Sequence, residues 1–174
     1  WRGLVEEALD AGQRFDTALD GVREGPLRER LSELRGRLDT AIDETWRIAS
    51  AGNSLSGGRR QIDTEGIAEE LRQAESGERT SRSEQRIAAI RSQLAAAERL
   101  DRTIAETHDR LRLLDARIDE TVTRTVELSV TQADAALGDL VGPGGVSAEL
   151  DSIVDDMEAL RQAVEETHRA DRRT

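Results

Sequence analysis

The sequence has no cysteine, no lysine and no tyrosine, and its 174 residues include only two prolines and three aromatic side chains, Trp1, Phe15 and Trp46. Each absence removes a class of chemistry or architecture. Without cysteine there is no disulfide, no thiolate nucleophile and no cysteine-based zinc site. With so few aromatics, a core must be built from Leu, Ile, Val and Ala, which suits close-packed helices better than a sheet. All 25 basic residues are arginine, a bias expected of a high-GC genome rather than of a functional choice. No apolar run reaches the ~18 residues that a membrane-spanning helix needs, and the start is not a charged-then-apolar signal segment. The chain opens at Trp1 and its only methionine is Met157, so it reads as a piece of a longer protein.

What the sequence does have is charge. Charged residues make up 35% and hydrophobic residues 36%, a composition between globular and coiled-coil proteins. The formal charge is −11, and the only basic stretch of note is 79–102. Binding to nucleic-acid backbones or anionic lipid draws on clustered positive charge. Both are therefore unlikely partners on composition, and an acidic, protein-binding surface is the better expectation.

Apolar spacing predicts helices throughout. Trp1, Val5, Ala8, Gly12, Phe15, Leu19 and Val22 alternate steps of four and three, a wide amphipathic stripe. Gly21, Gly25 and Pro26 break it, with Pro26 placed to open a second helix that carries Leu27, Leu31, Leu34, Leu38, Ala41 and Ile42 and ends near Ala49. Residues 1–50 thus read as a helical hairpin with Trp1 and Trp46 at one end. Residues 51–79 read as a loop, AGNSLSGGRR, followed by a short helix over Thr64–Ala74. From Glu78 to Leu137 there is no Gly or Pro, so residues 80–137 are expected to form one long spine helix. Ser81 with Glu84 has capping-box spacing at its start, and β-branched residues crowd near Thr121–Thr125, where a kink is conceivable. GDLVGPGG at 138–145 stops the spine, and residues 146–172 form a last helix that must run back along it toward Leu111, with a frayed tail. The expected fold is all-α: one elongated, mostly antiparallel helical bundle or coiled coil around a spine.

One octapeptide is nearly repeated: LDTAIDET at Leu38–Thr45 and LDARIDET at Leu114–Thr121, with a looser LDRTIAET at Leu100–Thr107. In each, Leu and Ile stand four apart and face the core, which puts the aspartates on the flank. The copies are expected to reflect one helix surface reused under heptad constraint, although duplication of an ancestral segment is the alternative. A di-iron reading requires two Glu-x-x-His pairs. Only Glu165 and His168 supply one, because Ala105 precedes His108 by three. No metal and no cofactor are expected. SGGRR (Ser56–Arg60) lacks phosphate-loop spacing, and no serine sits in a nucleophile setting, so no catalytic residue is assigned. Candidate partner-binding residues are Trp1 and Trp46, and the ridge Asp101, His108 and Asp115 spaced by sevens. The two tryptophans read first as an apolar plug, and the ridge as a solvated edge. A candidate small-molecule pocket would lie between helices near Thr107, His108, Thr121 and Thr125.

The segments GPLRERLSELRGRLDTAIDETWRIA (Gly25–Ala49) and DRLRLLDARIDETVTRTVELS (Asp109–Ser129) resemble a group of uncharacterised helical proteins of actinobacteria. More remotely, the helical order is similar to the cytoplasmic parts of that phylum's phage-shock envelope-stress accessory proteins. The resemblance implies an all-α fold and a non-enzymatic role, and the long spine, the charged polar faces and the lack of a chemical constellation point to a scaffold or adaptor. Its expected setting is cytoplasmic, with tethering to the inner face of the membrane through a further segment and a protein partner or a homodimer as the bound form. A ligand-sensing bundle is the alternative expectation.

Overall fold

The computed structural model describes residues 1–131, Leu140 and 144–171, without the side chains of Thr131, His168, Ala170 and Asp171. The described residues are helical with no strand: α1 (Arg2–Asp20), α2 (Pro26–Arg60), α3 (Thr64–Ser76), α4 (Ser81–Thr131) and α5 (Val146–Asp171). The expected all-α class is therefore observed. The end of the spine helix and, apart from Leu140, Gly144 and Gly145, the stop signal at 138–145 lie outside the described residues. None of the helices is long and apolar enough to cross a membrane.

Local chemistry sets the helix ends. Gly25 takes a φ of 153° that a side chain would resist, and Pro26 follows as the first helical residue. Arg28 Nη1 reaches back to the carbonyls of Leu19 and Val22 at 3.0 and 2.8 Å, satisfying the open end of α1. Asp63 caps α3 by accepting from the Gly66 amide at 2.9 Å. The start of α4 is capped reciprocally by Thr80 and Ser83, whose hydroxyls each accept from the other's amide. That is one residue earlier than the expected Ser81–Glu84 box. α4 is continuous through Thr121–Thr125, where the Thr121 and Thr125 hydroxyls donate to the carbonyls four residues earlier at 2.7 and 2.8 Å.

Four helices form a bundle. α2 and α4 pack together at its centre, with α1 lying against both on one side and α5 against both on the other. The ion pairs give the directions. Asp16 with Arg35 makes α1 antiparallel to α2, while Arg14 with Asp119 and Trp1 beside His108 make α1 parallel to α4. Arg37 meets Ser147 and Asp151, and Thr45 meets Met157, so α2 and α5 are parallel too. The core is Phe15, Leu31, Leu38, Ile48, Leu111, Ile118, Ile153 and Met157 with their neighbours, each large side chain contributing about 1.5–3 kcal/mol by burial. The hairpin and α5 thus share one level of the spine.

The expected loop at 51–60 is helix. α2 continues to Arg60 because its buried stripe runs on through Thr45, Ile48, Gly52 and Leu55. A Cβ at Gly52 would fall inside the Trp1 ring, so the glycine is there for close packing rather than for a turn. Ser54 and Ser56 donate to the carbonyls four residues back, at 3.0 and 2.8 Å.

Beyond the bundle, α3 folds onto the first third of α4 and packs on nothing else among the described residues. Ile67, Leu71 and Ala74 of α3 and Ile87, Ile90 and Leu94 of α4 are the apolar side chains, buried or half-buried, spaced by three and four along this pair of packed helices. Arg86 with Glu70 (2.8 Å) and Arg91 with Glu75 (2.6 Å) bridge the two helices.

Candidate functional site

The polar residues singled out in the sequence fall along the α1–α4 seam and the adjoining end of α2. At the lower end, Trp1 stands edge-on to His108 with ring centroids 5.1 Å apart, and its indole Nε1 donates to Ser56 Oγ at 3.2 Å. Trp1 is thus a structural joint between α1, α2 and α4. Trp46 is different. Its side chain is on the surface at 60% exposure, which corrects the plug reading for this residue. The two tryptophans do share one end of the hairpin, as walls of a groove of about 440 Å³ with Val5, Glu6, Ala49 and Asn53.

Two turns further along α4 from His108, Asp115 is 6% exposed and its Oδ1 is buried with no hydrogen-bond partner. Burial pushes the carboxyl up from 3.8 to about 7, and the hydrogen bond and charge of Glu7 across the seam push the same way. Asp119 adds repulsion, while Arg14, paired with Asp119, opposes it.

The remaining ridge member, Asp101, is exposed and accepts from Arg59 Nη2 at 2.8 Å. The ridge is therefore not uniform. It runs from a solvated ion pair at Asp101, through a half-buried His108, to a buried Asp115. Thr107, Thr121 and Thr125 are buried, and each hydroxyl is taken by a carbonyl of its own helix. They leave no donor for a ligand. A groove of about 410 Å³ opens beside the last two, lined by Arg14, Thr17, Ala18, Val122, Thr123 and Val126.

No protein-family model matches the chain, and no curated protein or solved structure is similar to it at a significant level. The arrangement of side chains therefore carries the functional reading.

The octapeptide resolves into a packing unit. In all three copies the last threonine, seven residues after the leucine, is buried and bonded to its own backbone. Leu, Ile and Thr form one stripe, and the aspartates mark its flank. Asp39 pairs with Arg35 and Asp119 with Arg14, while Asp115 alone is covered, because α1 lies over that flank. Among the described residues no group of three or more His, Asp and Glu is placed to hold a metal ion, and the side chain of His168 lies outside them.

Glu44 was not marked by any sequence pattern. Its side chain is 4% exposed and accepts from Arg161 Nε at 2.9 Å and from Arg47, tying α2 to α5. Arg161 also bonds Glu165 at 2.7 Å, and Glu165 bonds Arg169 at 2.9 Å. No local signal could have found it, because Glu106 and Glu120 hold the same place before a buried threonine and are exposed.

Proposed function

We propose that the chain is a non-enzymatic interaction protein, a scaffold or adaptor whose contact point with a protein partner is the groove between Trp1 and Trp46. The observation that carries this reading is the exposure of Trp46 at 60% in a chain with two tryptophans. A large aromatic held on a rigid helix beside a groove is the type of anchor that dominates protein interfaces. The polar side chains elsewhere support the same reading. The threonines are bonded to their own helices, and the buried Glu44 is held by Arg47 and Arg161. The resemblance noted above adds a bacterial envelope setting to the reading, which fractionation of the host cell checks.

The test is site-specific photocross-linking in the host cell. A benzoylphenylalanine in place of Trp46 is expected to give a discrete adduct that unlabelled wild-type chain competes away and the Trp46→Ala chain does not. The same probe at Glu120, exposed on α4, is expected to give none. Equal adducts at both positions, or none at either, would remove the groove as the contact point.

A further inference from the structure

Outside the four-helix bundle, α3 and the first turns of α4 form a two-helix arm. The short link Gly77–Thr80 joins them, so they run antiparallel. Two helices alone cover one side of each apolar stripe and leave the rest to water. No side chain of α3 is buried: Ile67, Leu71 and Ala74 are half-buried, as are Ile87 and Leu94 opposite them. The arm is open on the flank where Glu75 meets Arg91. A groove of about 470 Å³ lies there, lined by these two with Arg79, Glu84, Ile87 and Ala88. Ala88 and Ala95 stand three before and four after Arg91, on one side of α4. Ala88 is exposed and Ala95 half-buried. About five turns further along that side, Leu113 is 61% exposed, so the chain's own bundle does not wrap around to this flank.

Charge decides what fits there. α3 carries four glutamates and one arginine, and the stretch after it, 79–95, carries four arginines and one glutamate. The arm is thus an acidic helix beside a basic one, and its complement is a second arm turned over.

We propose that the arm is a self-association surface: two copies of the chain pair through the Ala88 flank, about a two-fold axis running along the arms, and close an intermolecular four-helix bundle. That axis lays the acidic α3 of each copy on the basic α4 of the other, antiparallel to it. A two-fold across the arms would instead stack α3 on α3 and α4 on α4, like charge on like. Because the axis keeps levels, Arg79 and Arg82 come level with Glu75 of the second copy. Neither arginine has an ion pair among the described residues. The half-buried Leu71 and Ile87 gain cover, and the small Ala88 and Ala95 let the helices approach. A face as long as α3, whose 13 residues span about 20 Å, and two helices wide is at the small end of specific interfaces. The dimer therefore forms with a Kd on the order of micromolar, and it carries two Trp1–Trp46 grooves on the same side of the joint.

The experiment is light scattering of the whole chain during size-exclusion chromatography, loaded from about 1 μM to 1 mM. The wild type is expected to pass from monomer toward dimer across that range. Ala88→Glu, at an exposed position, is expected to stay monomeric with unchanged circular dichroism, and Arg82→Glu to weaken the dimer about tenfold or more. Trp46→Ala should dimerise as the wild type does, which separates the arm from the groove. The arrangement is read with Ser81→Cys, the only cysteine of that chain, carrying a spin label at the tip of the arm. The axis along the arms brings the two labels within about 25 Å, two helix diameters. A wild type that is monomeric throughout would overturn the proposal. So would a dimer that survives Ala88→Glu, one lost in Trp46→Ala, or labels further apart by the length of the arm. If Ala88→Glu does not fold, Arg82→Glu decides.

Discussion

Asp115 sets a pH dependence for the stability of the chain. Its folded-state value of about 7 lies above the ordinary 3.8, so the folded protein binds more protons than the unfolded one throughout that interval. Stability contributed by the protonated Asp115 carboxyl is complete below about pH 4 and drains away as the pH rises through 7. The interval corresponds to roughly 4 kcal/mol at most. Asp115→Asn keeps the size and the hydrogen-bonding capacity but not the titration. It is expected to flatten the fall in melting temperature between pH 5 and 8 and to raise stability at pH 8 by about 1–3 kcal/mol. Thermal melts of both proteins across that range check it, and parallel curves would place the loss in other groups. The aspartates at 39, 101 and 115 occupy the same place in three near-copies, so periodicity puts all three on a flank. It cannot say that α1 covers only one of them. That depends on a helix more than 90 residues away in sequence.

At the scale of the helix, the glycines show how much of the fold could be read directly. The steps of four and three that define α2 continue through Thr45, Ile48, Gly52 and Leu55. Two of these positions hold a polar and a hydrogen side chain, so the stripe fades to the eye where Gly52, Asn53, Gly57 and Gly58 suggest a loop. The stripe's logic was sound and its residues misleading: Gly52 makes room for Trp1, and Thr45 satisfies its hydroxyl on the Ala41 carbonyl at 3.0 Å. Space around the glycines separates the two roles. Gly36, also within α2, has nothing within 4 Å of where a Cβ would stand. Gly36→Ala is expected to stabilise the chain by about 0.5–1 kcal/mol through helix propensity. Gly52→Ala should destabilise it by about 1–3 kcal/mol, because the Trp1 ring must leave its place. Urea melts read both. Gly52→Ala as stabilising as Gly36→Ala would mean that Trp1 does not pack on α2. The helix class, the two hairpin breaks and the start of α5 needed no such information, because Gly21, Gly25–Pro26 and the apolar spacing signal them locally. Glu44 was illegible for the opposite reason. Its burial depends on Arg161 arriving from α5, and nothing within α2 announces it.

The whole molecule combines two kinds of construction. In the bundle, α2 and α4 are each covered from both sides, so its core is closed by four helices and crossed by the Glu44–Arg161 tie. In the arm, α3 has no buried residue and, among the described residues, only one neighbouring helix. A helix of 13 residues is marginal in water on its own, so α3 depends on its seam with α4 and on the two arginine–glutamate bridges. The exposed bridges add little, each typically under about 1 kcal/mol. Ile90, the best-buried side chain of the arm's seam, therefore carries much of its stability. Meanwhile α4 runs for 51 residues, roughly 75 Å at 1.5 Å per residue, and joins the two parts as one continuous rod. The arm should open without the bundle. In Ile90→Asp, a charge replaces the side chain that α3 rests on. Exchange protection of Thr64–Ser76 is then expected to disappear and circular dichroism to lose about that helix's share of signal, while the main melting transition moves by only a few degrees. A single transition displaced as a whole, with protection lost equally in Leu31–Ala49, would show arm and bundle to be one cooperative unit. It would also make the spine a conduit by which an event at the arm is felt at the Trp1–Trp46 groove.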